Sequence, residues 1–302
     1  MRFVTPFGKQ LKSESDNGAY ALEKGDFGLR AVMTSDWSPQ VGRALLKEPI
    51  AELELNRGKG WRGQDLSFLS DFCELLALRI IGRTAESISP IHELHNLRAL
   101  HVMSYGKDEI RFGEFPHLIE CGLQWRPKAT SLFRCTTLRN LLVNGFNAPT
   151  TDLFRRLKNL ESLAILGSAI KSLEGLTHLT MLRSLRLGDL RLLERLKGIQ
   201  DLTRLGKLEI NTCRKVSSIE EIAPLVNLRE LYLDNLGSLQ SLEPLKSLHE
   251  LRCLTFVEST NVTDGNLSML LHLPNLETVV FQNRKHYSHG REAFGHGKAP
   301  PA

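Results

Sequence analysis

Residues 160–166 read LESLAIL, residues 182–188 read LRSLRLG, residues 205–211 read LGKLEIN and residues 228–234 read LRELYLD. Each segment has the frame L-x-x-L-x-L, in which the fourth and sixth residues are apolar and the fifth is usually polar. This alternation predicts a β-strand with one buried face. The segments start 22 or 23 residues apart, so the strand belongs to a unit that repeats along the chain.

The same frame continues in both directions along the chain. Its first apolar position occurs eleven times, at Ile50, Leu75, Leu97, Leu118, Leu138, Leu160, Leu182, Leu205, Leu228, Leu251 and Leu276. Between the frames, apolar residues recur at every third position, as in Ile170, Leu173 and Leu176, which is typical of short 3₁₀ turns. We therefore predict an α/β solenoid, with about eleven parallel strands on a concave face and short 3₁₀ or helical turns on the convex face.

The frame, its spacing and the three-residue period of the return segments resemble the short-repeat class of leucine-rich-repeat proteins, which includes bacterial internalins and phosphatase-regulator relatives. The resemblance covers residues 50–283 and implies a leucine-rich-repeat horseshoe that binds a protein on its concave face. One position departs from the class: the ninth residue of the repeat is usually Asn, and here it never is. Ser168, Cys213 and Ser259 are ordinary substitutes, and elsewhere we expect irregular loops after the strands.

The series of repeated frames divides the chain into three segments. Residues 1–49 are predicted to form an N-terminal cap, because the end of a solenoid otherwise exposes its core. Within the cap, residues 26–35 have strand composition, and Ser38 and Pro39 start a helix that we expect to end near Glu48. Residues 50–284 form the solenoid, and residues 285–302, rich in Gly, His and Pro, form a flexible tail.

The composition favours a soluble globular protein over several other classes. The net charge of +5 comes from 39 basic and 34 acidic residues spread along the chain, unlike the clustered basic stripe of a duplex binder. No stretch has the apolar length of a signal-peptide core or a membrane span, so we expect a cytoplasmic monomer. The five cysteines are scattered and lack CxxC spacing, which predicts reduced thiols and no zinc site.

The sequence contains no motif that would support catalysis. It lacks a G-x-S-x-G elbow, a G-x-x-x-x-G-K-[ST] phosphate loop, an H-E-x-x-H metal pair and a Gly-rich dinucleotide turn after a strand. We therefore predict that the protein is not an enzyme and holds no metal or cofactor.

Residues between the buried leucines should project from the concave face and contact a partner. These positions are apolar, aromatic and basic in repeats two to seven and acidic in repeats eight to ten, and Trp, Tyr, Met and Arg are enriched at interface hot spots. The predicted partner-binding residues, with Tyr105, Arg126 and Phe146 at the rim, are Arg79, Ile81, His101, Met103, Tyr105, Trp125, Arg126, Leu142, Phe146, Leu166, Arg186, Glu209, Tyr232 and Asp234.

Three interpretations of these residues stay open at the level of the sequence. The first is a non-enzymatic module that binds a protein partner, such as a cytoplasmic inhibitor or immunity-type protein. The second is a nucleic-acid-binding protein that uses the basic and aromatic patch of repeats two to seven. The third is structural: Tyr105, Trp125 or Phe146 could turn inward and fill the space left by the missing Asn residues. Solvent exposure of these aromatic side chains separates the third interpretation from the first.

Overall fold

A computed structural model of the chain describes residues 18–82 and 87–294. In these residues each of the eleven predicted frames contains one strand. The chain divides into two compact units between Leu141 and Leu142, and each unit is treated by itself below. Residues 1–17 of the predicted cap and residues 295–302 of the predicted tail lie outside the described residues.

Unit one begins with a β-hairpin and a short helix. Strand β1 (Tyr20–Lys24) pairs antiparallel with β2 (Leu29–Met33), and the helix α1 follows at Pro39–Leu45. The Ser38 hydroxyl caps α1 by accepting from the Val41 N–H at 3.3 Å. The helix ends before the predicted Glu48, because the last N–H groups bond three residues back and tighten the final turn. The partner strand β1 was absent from the sequence prediction.

The ladder of unit one continues from this hairpin as a parallel sheet. Strand β2 pairs in parallel with the first ladder strand, and the ladder strands pair in chain order. They are β3 (Ile50–Asn56), β4 (Ala77–Ile81), β5 (Ala99–Met103) and β6 (Glu120–Gln124). Strand β7 (Asn140–Asn144) spans the division between the units.

Unit two is a second stretch of the same parallel ladder. Its long strands pair in chain order, with the buried apolar residues of each strand beside those of the next. The strands are β8 (Ser162–Leu166), β9 (Ser184–Gly188), β10 (Lys207–Asn211), β11 (Glu230–Asp234), β13 (Cys253–Phe256) and β15 (Thr278–Phe281). Two short strands, β12 (Ser238–Leu239) and β14 (Asn261–Val262), pair separately.

The return segments are short 3₁₀ turns, as the three-residue period predicts. In unit one they are Arg57–Lys59, Ser67–Phe72, Ser89–Glu93, Phe112–Glu114 and Pro127–Arg134. In unit two they are Asp152–Arg156, Glu174–His178, Glu220–Ile222, Glu243–Ser247, Ser268–His272 and Arg291–Phe294. None of the helices in the described part of the chain is long and apolar enough to cross a bilayer.

The end of unit two is closed by a cluster of aromatic rings. Phe256 and Phe281 of the last two ladder strands stack with centroids 4.7 Å apart. The rings of Tyr287 and Phe294 lie 5.8 and 6.0 Å from Phe281. This corrects the prediction of a flexible tail from Lys285, because residues up to Phe294 pack on the sheet. The Gly- and His-rich composition concealed these two aromatic anchors.

In some repeats the missing asparagine is replaced by another hydrogen-bonding side chain. Ser168 donates to a backbone carbonyl one repeat earlier. Near the end of unit two the buried substitute is Thr260, whose hydroxyl donates to the Leu233 carbonyl at 2.6 Å and accepts from the Leu236 N–H at 3.0 Å. The predicted substitute, Ser259, is exposed. The loop is shifted by one residue, and a periodic count of the sequence does not show such a shift.

The eighth position of most repeats in unit two has a left-handed backbone. In six consecutive repeats φ lies between 52° and 75°, at Gly145, Gly167, Asp189, Thr212, Asn235 and Glu258. The first five N–H groups of this column donate to the carbonyl at the seventh position of the following repeat; from the Thr212 N–H to the Asp234 carbonyl the distance is 3.0 Å. The column therefore extends the sheet ladder by one bond beyond each strand, at the cost of an unfavourable conformation for non-Gly residues.

Thr212 is the β-branched member of this column, and we expect the Thr212→Asn variant to be about 0.5–1 kcal/mol more stable than the wild type. Asn tolerates the left-handed conformation better than Thr and retains a polar atom for the bond from Asn235, 3.1 Å long in the wild type. Urea unfolding measures the difference. Thr203→Asn, at an exposed turn, is the matched control. A loss of stability specific to Thr212→Asn would show that the hydroxyl contacts outweigh the strain.

Candidate functional site

The third, fifth and seventh positions of each frame form one side of the sheet in each unit, which we name the open face. The fourth and sixth positions point into the core, and Leu208 and its neighbours in register are fully buried. On the open face, Glu209 lies directly between Arg186 and Tyr232 in register. Predicted site residues on adjacent strands therefore form rows within each unit.

Arg79 was predicted to bind a partner, but it belongs to a buried ion cluster that joins the turn of the β1–β2 hairpin to β3 and β4. Its guanidinium donates to Glu52 Oε2 at 2.8 Å and to Asp26 Oδ2 at 3.2 Å. Arg30 donates to the same Glu52 oxygen at 2.7 Å, and the Phe27 N–H donates to Oε1 at 2.6 Å. Only 9% of Arg79 is exposed. The structure removes Arg79 from the accessible surface.

The charge of Glu52 depends on this cluster. Burial alone would raise the pKa of Glu52, but the Phe27 N–H and the guanidinium groups of Arg30 and Arg79 outweigh burial and hold the pKa below its ordinary value. A fully buried carboxylate thus stays ionised because its hydrogen bonds come mainly from charged donors.

His101 is the partly accessible polar residue of the open face in unit one. Its Nε2 donates to Glu120 Oε1 at 2.8 Å. This bond lowers the pKa of Glu120 in spite of burial. A Cβ at Gly122 would lie 2.4 Å from His101 Nδ1, so the glycine makes room for the imidazole ring. His101 and Glu120 form an oriented pair on the sheet, but no third catalytic group accompanies them in the interactions of the described residues.

On the open face of unit one, accessible apolar side chains lie at the carboxyl ends of β4, β5 and β6. Ile81 and Met103 pair in register and are both half-exposed. Tyr105 lies two residues beyond β5 and is 68% exposed. Trp125 directly follows β6 and is half-buried, with its ring centroid 5.7 Å from that of Phe133. We name Ile81, Met103, Tyr105 and Trp125 the apolar strip.

Two residues predicted at the rim are buried instead. Arg126 is 1% exposed and donates to the Ser104 carbonyl at 2.7 Å. Phe146, in unit two, is also 1% exposed, and its ring packs edge-on against Phe154 at 5.2 Å. Both residues occupy the ninth position of their repeats, where the missing Asn leaves interior space. The structural interpretation is therefore correct for Phe146 and wrong for the exposed Tyr105.

In unit two, the predicted apolar residues Leu142 and Leu166 are half-buried on the open face. A Cβ at Gly188 would lie 2.8 Å from Leu166 Cδ2, so Leu166 leans over the glycine of the neighbouring strand. This arrangement covers part of the strand β9 backbone and reduces the apolar surface that Leu166 offers.

The charged residues of the open face in unit two form a connected row. Arg186 and Glu209 form an ion pair at 3.3 Å, and the Lys207 ammonium lies 2.9 Å from Glu209 and 3.2 Å from Glu230. The same ammonium lies 4.8 Å from the ring centroid of Tyr232, whose hydroxyl donates to Glu230 at 3.1 Å. The prediction omitted Lys207 and Glu230 because they are at the third position of the frame. The two-residue alternation already places that position on the open face.

Asp234 lies two positions beyond Tyr232 on β11 and has no cationic partner among the described residues. Its carboxylate accepts from the Thr255 hydroxyl at 3.1 Å and from the Val257 N–H at 3.3 Å, and no ion pair among the described residues includes it. Burial raises the pKa of Asp234, and the nearby carboxylates of Glu258 and Glu209 raise it further in spite of these two bonds. Asp234 is thus a fixed carboxylate in a locally negative environment.

Two of the buried thiols are not activated as nucleophiles. Burial raises the pKa of Cys135 and of Cys213 to about 11, so both are protonated at neutral pH. Across residues 18–82 and 87–294, no group of three or more His, Cys, Asp or Glu residues is arranged to hold a metal ion.

Comparison with known proteins places the chain by its fold. No protein-family model and no curated protein matches the sequence. The functional domain of InlJ from Listeria monocytogenes is 18% identical, with a TM-score of 0.56, and the match covers 76% of this chain and 49% of that one. An internalin (inlF) from the same organism is 19% identical over 81% of this chain and 94% of its own, with a TM-score of 0.49. A leucine-rich-repeat protein of Leptospira interrogans is 15% identical over 82% and 81%, with a TM-score of 0.45. The predicted leucine-rich-repeat fold is confirmed.

Proposed function

We propose that the protein is a non-enzymatic recognition module that binds a protein partner through the open face, with the apolar strip as a principal contact. The observation that carries this proposal is the exposure of Tyr105, of which 68% is accessible beside the half-exposed Met103. Exposed aromatic and Met side chains grouped at the ends of three adjacent strands have the composition of an interface core. Leucine-rich-repeat sheets supply a rigid platform for such contacts.

The charges of the open face favour a protein over a nucleic acid. The nucleic-acid hypothesis relied on Arg79, Arg126, Arg186 and the basic tail, with Trp125 or Tyr105 stacking on bases. The first two are buried, and Arg186 is paired with Glu209. None of these three arginines therefore offers a free cation beside Tyr105, whereas binding to a phosphate backbone needs several.

An inhibitor or immunity-type role in the cytoplasm stays a prediction within this proposal. It accords with a chain in which neither the sequence motifs nor the thiols of Cys135 and Cys213 supply a catalytic group, so that binding itself would be the activity. A copurified enzyme whose activity falls on addition of the protein would support this role.

The test is affinity capture from the native host with the full chain and a Met103→Ala, Tyr105→Ala double variant. We expect recovery of the specific partner to fall at least tenfold, because two hot-spot side chains are removed from the interface. Both chains must give the same circular dichroism spectrum, since these side chains contribute little to the core.

Leu153→Ala is the matched control, because Leu153 is 44% exposed but lies on a 3₁₀ turn away from the open face. It should recover the partner as the wild type does. Equal recovery of all partners by the double variant would refute the role of the apolar strip. A captured species that disappears after nuclease treatment would identify nucleic acid as the ligand and overturn the proposal.

A further inference from the structure

The open face of unit two is electrically asymmetric from β9 to β13. At the β9 side, the cations of Arg186 and Lys207 neutralise Glu209 and Glu230. At the β11 and β13 side, Asp234 has no cation within ion-pair distance among the described residues. The nearby Arg284 directs its guanidinium to the backbone carbonyls of residues 258 and 260 and not to a carboxylate. The uncompensated charge of this face is therefore negative and is localised at Asp234.

The carboxylate of Asp234 is held rigidly. Two hydrogen bonds, from Thr255 and Val257, fix it on the sheet, and both donors are neutral. A half-buried carboxylate with only neutral donors and with carboxylate neighbours is destabilised in its charged form. An added cation would remove this penalty, so the site is prepared for a positive group.

The same face already holds one ammonium group in this way. Lys207 places its Nζ within 3.2 Å of two carboxylates and 4.8 Å from the ring of Tyr232. The arrangement combines charge-assisted bonds with a cation–π contact, both of which favour Lys or Arg over neutral groups. Tyr232 and Asp234 are on the same strand, two positions apart, and therefore share the open face.

We propose that this face, formed by β10, β11 and β13, docks a basic segment of the partner protein, with a Lys or Arg side chain bound at Asp234 beside Tyr232. The inference rests on the proposed function and names the chemistry of the partner segment. Charge complementarity selects this occupant, because an acidic segment would face the carboxylates of Asp234 and Glu258, for which the described residues show no ion pair.

The experiment is an NMR titration of the full-length protein with two short peptides, one with alternating Arg and Gly and one with alternating Glu and Gly. We expect the Arg peptide to cause saturable amide shifts in residues 230–235 and 253–258, and the Glu peptide to cause none there. Asp234→Asn should weaken Arg-peptide binding about tenfold, because it removes the charged acceptor. Affinity for the wild type should also increase as pH rises from 4 to 7, whereas Asp234→Asn should show a much smaller increase.

Asp201→Asn removes the same charge from an exposed turn of unit two and should bind the peptide as the wild type does. Glu258→Gln, at an exposed residue, provides a second variant that does not disturb the Asp234 hydrogen bonds and should weaken binding two- to threefold. Equal binding of both peptides, shifts outside this face, or the same affinity for Asp234→Asn and Asp201→Asn would each overturn the inference. The peptide titration and the affinity capture test separate claims. Capture can succeed through Tyr105 while the Arg peptide fails to bind at Asp234, and the Arg peptide can bind at Asp234 while the Met103→Ala, Tyr105→Ala variant captures the partner as the wild type does.

Discussion

The Glu52→Gln variant is expected to lose about 3–5 kcal/mol of stability in unit one, because it leaves the buried guanidinium groups of Arg30 and Arg79 without their shared carboxylate. Amide hydrogen exchange in β1 to β4 measures the effect where it arises, and urea unfolding measures the total. Urea is preferable to guanidinium chloride because the salt would screen the charges under test.

Two control variants are needed to interpret the stability loss of Glu52→Gln. Glu243→Gln removes a carboxylate from an exposed pair with Lys246, and we expect a change below about 0.5 kcal/mol. A triple variant, Arg30→Met, Glu52→Leu and Arg79→Met, removes all three buried charges and should be less destabilised than Glu52→Gln alone. A loss below about 1 kcal/mol for Glu52→Gln would show that the ion cluster does not hold the hairpin.

The same cluster predicts how unit one responds to acid. The pKa of Glu52 is lowered in the folded state, and so are those of Glu54 and Glu120. Their contribution to stability is complete above the unfolded-state pKa of glutamate, about 4.3, and is lost as pH falls through the lower folded-state values. Protection of β1 to β4 in the wild type should therefore decrease below this range, and Glu52→Gln should show a smaller decrease.

Phe146→Ala is expected to destabilise unit two by about 3–5 kcal/mol and to leave partner capture unchanged in the fraction that remains folded. Phe146 is fully enclosed and packs on Phe154, so the substitution loses apolar burial and leaves a cavity. Urea unfolding measures the stability, and capture below the transition measures binding.

Leu153→Ala again serves as the control, because it removes a partly exposed side chain next to the buried Phe154. We expect a cost below about 1 kcal/mol. If Phe146→Ala instead unfolded like the wild type and abolished capture, the original prediction of a rim contact would be correct and the burial of Phe146 would be wrong.

The sequence predicted the repeating strands well because the buried leucines obey one simple rule. A period of two within each frame and a spacing near 22 residues locate all eleven ladder strands to within two or three residues. The prediction missed the elements that do not contain the leucine frame. The hairpin strand β1 lacks a leucine frame, and the aromatic closure depends on single residues, Tyr287 and Phe294, in a segment of low apolar content.

The candidate site was less predictable because a position on the face of a strand does not determine exposure. Arg79 occupies the fifth position of its frame as expected, but the turn of the β1–β2 hairpin supplies the Asp26 carboxylate and the Phe27 N–H that complete the cluster around it. Arg126 and Phe146 were placed outside because the loop geometry without Asn could not be derived. Tyr105, at the same ninth position, points outward. Contacts between residues that are distant in the sequence determine which of these three side chains is buried.

The aromatic closure at the end of unit two and the ion cluster at the start of unit one give the two termini of the ladder different sensitivities to the solvent. Stacked rings lose stabilisation in urea and on cooling, because both weaken apolar burial. The ion cluster responds to proton concentration and far less to cold. Since solenoids lose structure from their exposed ends, the composition of the buffer would determine whether proteases gain access first near residue 24 or near residue 285.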